Sequence, residues 1–250
     1  MTDAIQQQFS QQAAGLGIQL TDRQHAQFET YFNLLVEWNE KMNLTGITER
    51  DAVYEKHFYD SLTIAGAVQF DKMQSLADIG SGAGFPSIPL AIVYPHLQVT
   101  IIDALAKRIK FLEEVTSQLG LTKVLCLHSR AEDAARKREH RDHYDVVTAR
   151  AVARLAVLNE FCLPFVRPGG LFIAMKGTDI SAEVDEGRYS LAKLNGKIQN
   201  VKQLTLPTEG AERHLVICSK KDPTPAAYPR KAGIPLKSPL IKSSSSLNFN

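Results

Sequence analysis

The stretch Leu76-Ala-Asp-Ile-Gly-Ser-Gly-Ala-Gly-Phe-Pro86 decides how this chain folds. A short apolar run ends in Asp78, and glycines follow at Gly80, Gly82 and Gly84. A strand that breaks into such a turn brings bare backbone N–H groups close to a ligand, because glycine lacks a Cβ and accepts positive φ. The spacing differs from the dinucleotide fingerprint G-x-G-x-x-G, which seats a pyrophosphate on a helix N-terminus. Phe85 stands where the third fingerprint glycine belongs, and Pro86 follows at the expected first helical turn. The loop points to a nucleotide-like ligand that has no pyrophosphate.

Downstream, strand candidates at 76–79, 98–102, 123–127, 144–148 and 170–175 alternate with helical segments at about 86–93, 105–119, 131–138 and 152–164. That alternation predicts a parallel doubly wound sheet. Two further strands, 197–206 and 213–219, are joined by Pro207-Thr-Glu-Gly-Ala211. The link is too short for a parallel crossover, so the pair is an antiparallel hairpin at the sheet edge. D-x-G-x-G-x-G resembles the first motif of S-adenosylmethionine-dependent methyltransferases, and five βα units closed by a hairpin resemble their class I sheet. The expected fold is α/β and Rossmann-like, with a mostly parallel seven-stranded sheet.

Upstream, 4–15 and 21–42 read as helices. Phe28, Tyr31, Phe32, Leu35, Trp38 and Met42 fall on one stripe, and Thr21-Asp22 supplies the N-cap. A stripe this aromatic reads as core. Residues 51–70 read as further short helices. The expected division is a helical N-terminal region over 1–72, a methyltransferase domain over 73–221, and a basic, partly mobile tail over 222–250 that ends in the low-complexity run Ser243-Ser-Ser-Ser.

Open parallel sheets bind ligands beyond the carboxyl ends of their strands. At the second strand end stands Asp103, which beside the glycine loop suits a ribose diol, an ordinary helix N-cap being the alternative. Ser129-Arg-Ala-Glu132 follows the third strand, where a carboxylate or backbone groups can meet an adenine. Thr148-Ala-Arg-Ala151 closes the fourth, with Arg154 one helical turn on, and Lys176-Gly177 closes the fifth. Arg150 and Lys176 thus converge beside the cofactor loop and favour an anionic or acceptor-rich substrate. No acid or amide followed by prolines stands after the fourth strand, as exocyclic-amine methylation uses. No cysteine lies in a Pro-Cys context at a strand end, as pyrimidine C5 methylation needs. A target that is already nucleophilic fits what remains. Guanine N7 is one, with the N7/O6 acceptor pair that Arg and Lys recognise.

Composition narrows the classes further. The chain has 250 residues, 44% of them hydrophobic, enough for one α/β domain with a small appendage. No apolar run of about 18 residues occurs, and the first residues lack a basic region followed by an apolar one, so neither a membrane span nor a signal peptide is expected. Cys126, Cys162 and Cys218 are isolated, which argues against disulfides and metal sites and for a cytoplasmic protein. The net charge of +2 divides into −5 over residues 1–75 and +7 over the remainder. That division is compatible with a nucleic-acid surface on the second part, but charge alone favours a mixed solvated surface.

Motifs along most of the chain resemble one family, the bacterial small-subunit ribosomal RNA guanine-N7 methyltransferases, also called glucose-inhibited division protein B. Trp38-Asn39, Asn43-Leu-Thr45 and Ile47 match its helical front, and His57-Phe-Tyr-Asp-Ser-Leu62 matches its H-x-x-D-S-L. The glycine loop, Arg130-Ala-Glu132, Ala149-Arg-Ala-Val152, Lys176-Gly177 and Tyr228-Pro-Arg-Lys-Ala-Gly-Ile-Pro235 match its later signatures. One departure is Ile234, where the family pattern has Thr. The resemblance implies methyl transfer from S-adenosylmethionine to N7 of a guanine in the 530 loop of 16S ribosomal RNA, on RNA, a 30S particle or an assembly intermediate. It carries cofactor contacts onto Gly80, Phe85, Ala131, Glu132 and Arg150, beside Asp78, Gly82, Gly84 and Asp103 of the loop reading. It assigns substrate positioning to Arg150 and Lys176, RNA contacts to Arg154, Arg230 and Lys231, and no metal. His57, Asp60 and Ser61 lie within one helical turn, which suits capping and docking for the latter two better than a catalytic triad. For His57 two readings stand equally, a residue facing RNA or a satisfied interior histidine. A methyltransferase for a small molecule or protein, and a non-catalytic RNA-binding module, are the alternatives.

Overall fold

The computed structural model describes residues 2–242; the serine run that begins at Ser243 lies outside the described residues. Seven strands form one sheet: β1 (Ser75–Ile79), β2 (Gln98–Asp103), β3 (Val124–His128), β4 (Tyr144–Arg150), β5 (Val166–Lys176), β6 (Gly196–Thr205) and β7 (Glu212–Lys220). Their order is β3-β2-β1-β4-β5-β7-β6. β1 to β5 pair in parallel, and β7 pairs antiparallel with both β5 and β6. The order reverses beside β1, between β2 and β4. The glycine loop therefore opens at the switch point where such sheets bind ligands.

The helices are α1 (Ala4–Gly15), α2 (Asp22–Met42), α3 (Arg50–Val53), α4 (Asp60–Leu62), α5 (Ser87–Val93), α6 (Ala106–Gln118), α7 (Ala131–Ala134), α8 (Leu155–Cys162), α9 (Ser181–Lys193) and α10 (Ile234–Lys237). Between α3 and α4 the chain makes a π-helical turn, Tyr54–Tyr59. α2 begins with a capping box in which the Thr21 side chain accepts from Gln24 N–H. Most strand boundaries match the sequence reading within two residues, but three elements differ. β5 starts at Val166, pairs there with Tyr144, and then bulges through Arg167-Pro-Gly-Gly, with Gly169 at φ +80°, before pairing resumes at Leu171 opposite Val146. The helix expected over 131–138 stops at Ala134, and the one over 152–164 starts only at Leu155 and ends in a 3-10 turn. The late start matters for the site, because residues 151–154 form a loop beyond β4.

Two apolar clusters flank the sheet. One packs α1, α2, α5 and α6 against it and is rich in aromatics. Phe58 sits at its centre, 5.0 Å from Phe28, 5.0 Å from Tyr54 and 5.2 Å from Tyr31 between ring centroids. The other packs α7, α8 and α9 on the opposite face. The first cluster joins the helical region to the sheet without a break. Cys162 and Cys218 are buried and Cys126 is partly so, all as free thiols. No helix among the described residues is long and apolar enough to cross a membrane.

Candidate active site at the carboxyl edge of the sheet

The glycine loop is held open from three sides. Asp103 accepts the Gly82 N–H at 3.1 Å and the Leu105 N–H at 2.9 Å, so its buried carboxylate ties the loop to the start of α6. It does not cap α6 as an N-cap would; that position belongs to Leu105. From below, the Tyr31 hydroxyl on α2 donates to the Ala83 carbonyl at 2.5 Å. Gly84 lies so close to this hydroxyl that a Cβ there would sit 2.6 Å from it. From above, Val152 covers Gly80, where a Cβ would meet its Cγ2 at 2.8 Å. Tyr31 and Val152 are functional neighbours that sequence reasoning missed. Tyr31 was visible only as part of a core stripe, and its spacing gave no sign that its hydroxyl reaches the loop.

Under the loop, Asp78 is fully buried, and its Oδ1 has no hydrogen-bond partner. Burial pushes its carboxyl up to about 6, against hydrogen bonds from Ser87 and Ser81 and the charge of Arg150. An unpaired buried acceptor beneath a run of glycines, with open space around Gly82, fits a ligand that brings a donor of its own. Ala131 and Glu132 stand at the start of α7, beyond β3. Glu132 is buried, and its Oε1 accepts the Gly233 N–H at 2.8 Å.

Arg150 ends β4 and is gripped by the segment before α4. Its Nη1 donates to the Lys56 carbonyl at 3.1 Å and to Asp60 Oδ2 at 3.0 Å. Its Nη2 reaches His57 Nδ1 at 3.2 Å. Its guanidinium also lies over the Phe85 ring, 4.8 Å from the centroid. His57 Nδ1 stands between the Arg150 guanidinium and the Lys56 carbonyl, the latter 3.1 Å away, and Nε2 lies 2.8 Å from Thr45 Oγ1. The His57 ring stacks on Phe85 with centroids 4.5 Å apart. Burial first, and the neighbouring Arg150 charge second, lower its pKa to about 3. His57 is thus a largely buried, neutral histidine with both ring nitrogens engaged. Asp60 is buried and also accepts from Arg213 on β7 at 3.2 Å, and Ser61 Oγ bonds back to the His57 carbonyl at 2.5 Å. No triad forms.

Three expected cations are less free than their sequence positions suggested. Lys176 Nζ donates to the Ala153 carbonyl at 2.6 Å and pairs with Glu183 at 2.5 Å, so it pins the loop after β4. Arg154 pairs with Glu186 at 2.5 Å on an exposed surface, where solvent screening leaves such a pair weak and easily opened. Arg230 turns inward: its Nε and Nη2 grip Glu160, which is fully buried, at 2.6–3.0 Å. Of the C-terminal basic pair, Lys231 alone is exposed.

Beyond β4 and β5 opens a cavity of about 340 Å³ lined by His57, Asp60, Arg150, Met175, Lys176 and Arg213 among others. It lies within the size range of small-ligand pockets. A cavity of about 350 Å³ at the opposite edge, lined by Gln24, Gln27, Leu97 and Lys123, faces the amino ends of β2 and β3, away from the ligand edge of this fold. Arg150 therefore stands between the glycine loop, through Phe85, and the cavity.

Comparison with known proteins gives this edge a family. The family model described as rRNA small subunit methyltransferase G, GidB, matches residues 24–216. The chain belongs to that family. The ribosomal RNA small subunit methyltransferase G of Brevibacillus brevis is 54% identical over 235 residues, 94% of this chain and 99% of that protein. Its counterpart in Exiguobacterium sibiricum is 52% identical over 235 residues, again 94% of this chain and 99% of that protein. Among solved structures, a SAM-dependent O-methyltransferase from Thermotoga maritima aligns with a TM-score of 0.50 at 19% identity, covering 74% of this chain and 71% of that one. The 4+2 cyclase SpnF aligns at 0.52 with 13% identity, covering 66% and 81%. At these identities the structural likeness shows the fold alone, and the fold hosts more than one chemistry. The rRNA methyltransferase G family is identified by sequence, and its motifs fall around the loop and cavity described above.

Proposed function

We propose that this chain transfers a methyl group from S-adenosylmethionine to N7 of a guanine in the 530 loop of 16S ribosomal RNA. The observation that carries the reading is the placement of Arg150, stacked on Phe85 of the glycine loop on one side and lining the cavity on the other. The cofactor is held by the loop from Asp78 to Phe85 and by Asp103, Ala131 and Glu132. When bound it supplies an electrophilic methyl group. The unpaired Asp78 Oδ1 suits a donor such as an ammonium, and Asp103 retains acceptor capacity beyond its two backbone bonds and a longer contact from Arg108 at 3.4 Å.

Guanine N7 carries a lone pair and no proton, so the site needs no general base. His57 is not one: both ring nitrogens are already engaged, Nδ1 with Arg150 and the Lys56 carbonyl and Nε2 with Thr45. The work left to the protein is orientation. Arg150, fixed by Asp60, His57 and the Lys56 carbonyl, presents a rigid cationic edge that suits an O6 or a phosphate acceptor. Lys176 acts on the shape of the cavity by pinning the 151–154 loop. Lys231 and Arg154 extend the basic surface toward the RNA backbone. The proposed place of action is the cytoplasm, and the proposed substrate is 16S ribosomal RNA, free or within a 30S particle or an assembly intermediate.

The test is to incubate the protein with labelled cofactor and either naked 16S RNA or 30S particles, and to map N7-methylguanine by strand cleavage. Label in the 530 loop supports the reading, and label elsewhere or none refutes it. Arg150→Ala should abolish transfer while the cofactor loop still folds. Unchanged turnover in that variant would remove Arg150 from the mechanism.

A further inference from the structure

The chain after β7 lies beyond the stretch that the family model covers, yet it is anchored to the domain at several points. Lys220, almost fully buried, donates to the Leu163 carbonyl at 2.8 Å and to Thr224 Oγ1 at 2.6 Å, and pairs with Asp142. Arg141 donates to the Thr224 and Tyr228 carbonyls, each at 2.9 Å. Arg136 donates to the Pro229 carbonyl at 2.5 Å. Arg230 then clamps Glu160 of α8 through its side chain and its own backbone N–H, the latter at 2.7 Å. Without Arg230, Glu160 would be an unpaired carboxylate in the interior, so the strap and α8 depend on each other.

The strap ends its run at Glu132. Gly233 adopts φ +82° and directs its N–H at Glu132 Oε1. Glu132 Oε2 forms no hydrogen bond among the described residues. A carboxylate fixed at one oxygen presents the other in a single orientation, and an acceptor oriented in advance binds more tightly than one that must be ordered by its ligand.

We infer that the strap around 228–238 is a positioning element of the cofactor site, acting through Glu132. This rests on the proposed reading that Glu132 meets the nucleoside end of S-adenosylmethionine. The basic motif around Arg230 then serves the cofactor first, and Arg230 contributes no direct RNA contact through its clamped face.

The experiment cuts the clamp without leaving a charge buried. One protein is the full-length Arg230→Leu/Glu160→Leu double variant; a second is the full-length Gly233→Pro variant, which lacks the N–H that Glu132 accepts and cannot hold φ +82°. Calorimetric titration with S-adenosylmethionine is run on each beside the unaltered chain, and folding is followed by thermal melting. The expected result is a Kd raised about tenfold, equivalent to about 1.4 kcal/mol. In a Glu132→Ala background the same clamp changes should have little further effect, because both act on one contact. An unchanged Kd in either folded variant overturns the inference. So does an equal loss with and without Glu132, which marks a merely structural role. No binding by the unaltered chain would overturn the cofactor reading itself, and this inference with it.

Discussion

Replacing Gly82 and Gly84 singly by alanine separates backbone strain from crowding in the cofactor loop. Both residues have positive φ, +63° at Gly82 and +101° at Gly84. An L-residue in that region costs roughly 1–2 kcal/mol. A Cβ at Gly82 meets nothing within 4 Å. At Gly84 it would lie 2.6 Å from Tyr31 Oη, 2.7 Å from Ile88 Cγ1 and 3.0 Å from Leu112 Cδ2. All three neighbours are fully buried, so relief requires α2, α5 or α6 to move. Overpacking of this kind costs about 1–3 kcal/mol. Displacing the Tyr31 hydroxyl strands the Ala83 carbonyl for about 1–3 kcal/mol more. Gly84→Ala should therefore cost about 3–8 kcal/mol against about 1–2 for Gly82→Ala. A chain of this size loses roughly 2–4 °C of Tm per kcal/mol. Scanning calorimetry should find Gly82→Ala melting about 2–8 °C low, and Gly84→Ala at least ~6 °C low or unfolded. A Gly84→Ala protein that melts at or above Gly82→Ala would refute the argument that α2 presses on the loop.

Two further outcomes are expected. Tyr31→Phe, which removes the donor to Ala83, should cost about 1–3 kcal/mol in denaturant melts and weaken S-adenosylmethionine binding; unchanged values for both would show the hydroxyl to be idle. His57 stays neutral down to about pH 3 when folded, whereas the unfolded chain takes up that proton near its ordinary value of 6.5. Its contribution to stability is therefore complete above about pH 6.5, is lost as pH falls toward 3, and amounts to roughly 5 kcal/mol over the window. Asp78, raised to about 6 from 3.8, binds a proton on folding and opposes that slope between those two values. His57→Gln should remove the His57 component from the acid limb, read as ΔG of unfolding against pH; the same slope as in the unaltered chain would contradict a buried neutral His57.

The strands and the cofactor loop were legible because their signals are local: apolar runs of fixed period, and glycines within five positions of one another. The reach of α8 was overread because apolar periodicity continues through 151–154, while its start is set by a long-range bond from Leu155 N–H to Glu183. Charge roles were the least legible. Arg150 looked free until Asp60, 90 positions away, was found beside it, and Arg230 looked like an RNA contact until Glu160, 70 positions away, was found beneath it. Both carboxylates sit in apolar sequence surroundings that carry no sign of their partner. His57 was undecided for the same reason, since its state depends on Arg150 across the fold.

The Tyr31–Ala83 strut has a consequence for how the protein opens. α2 and the glycine loop share a buried bond and one aromatic cluster, so neither can loosen alone. A ligand that stabilises the loop must also raise the free energy of opening α2. Amide hydrogen exchange along the middle of α2 should then slow when cofactor is added, in a helix whose sequence shows nothing of a ligand. On that outcome the helical front would report cofactor occupancy, and a chain shortened to the sheet alone would lose that coupling along with the floor of its loop.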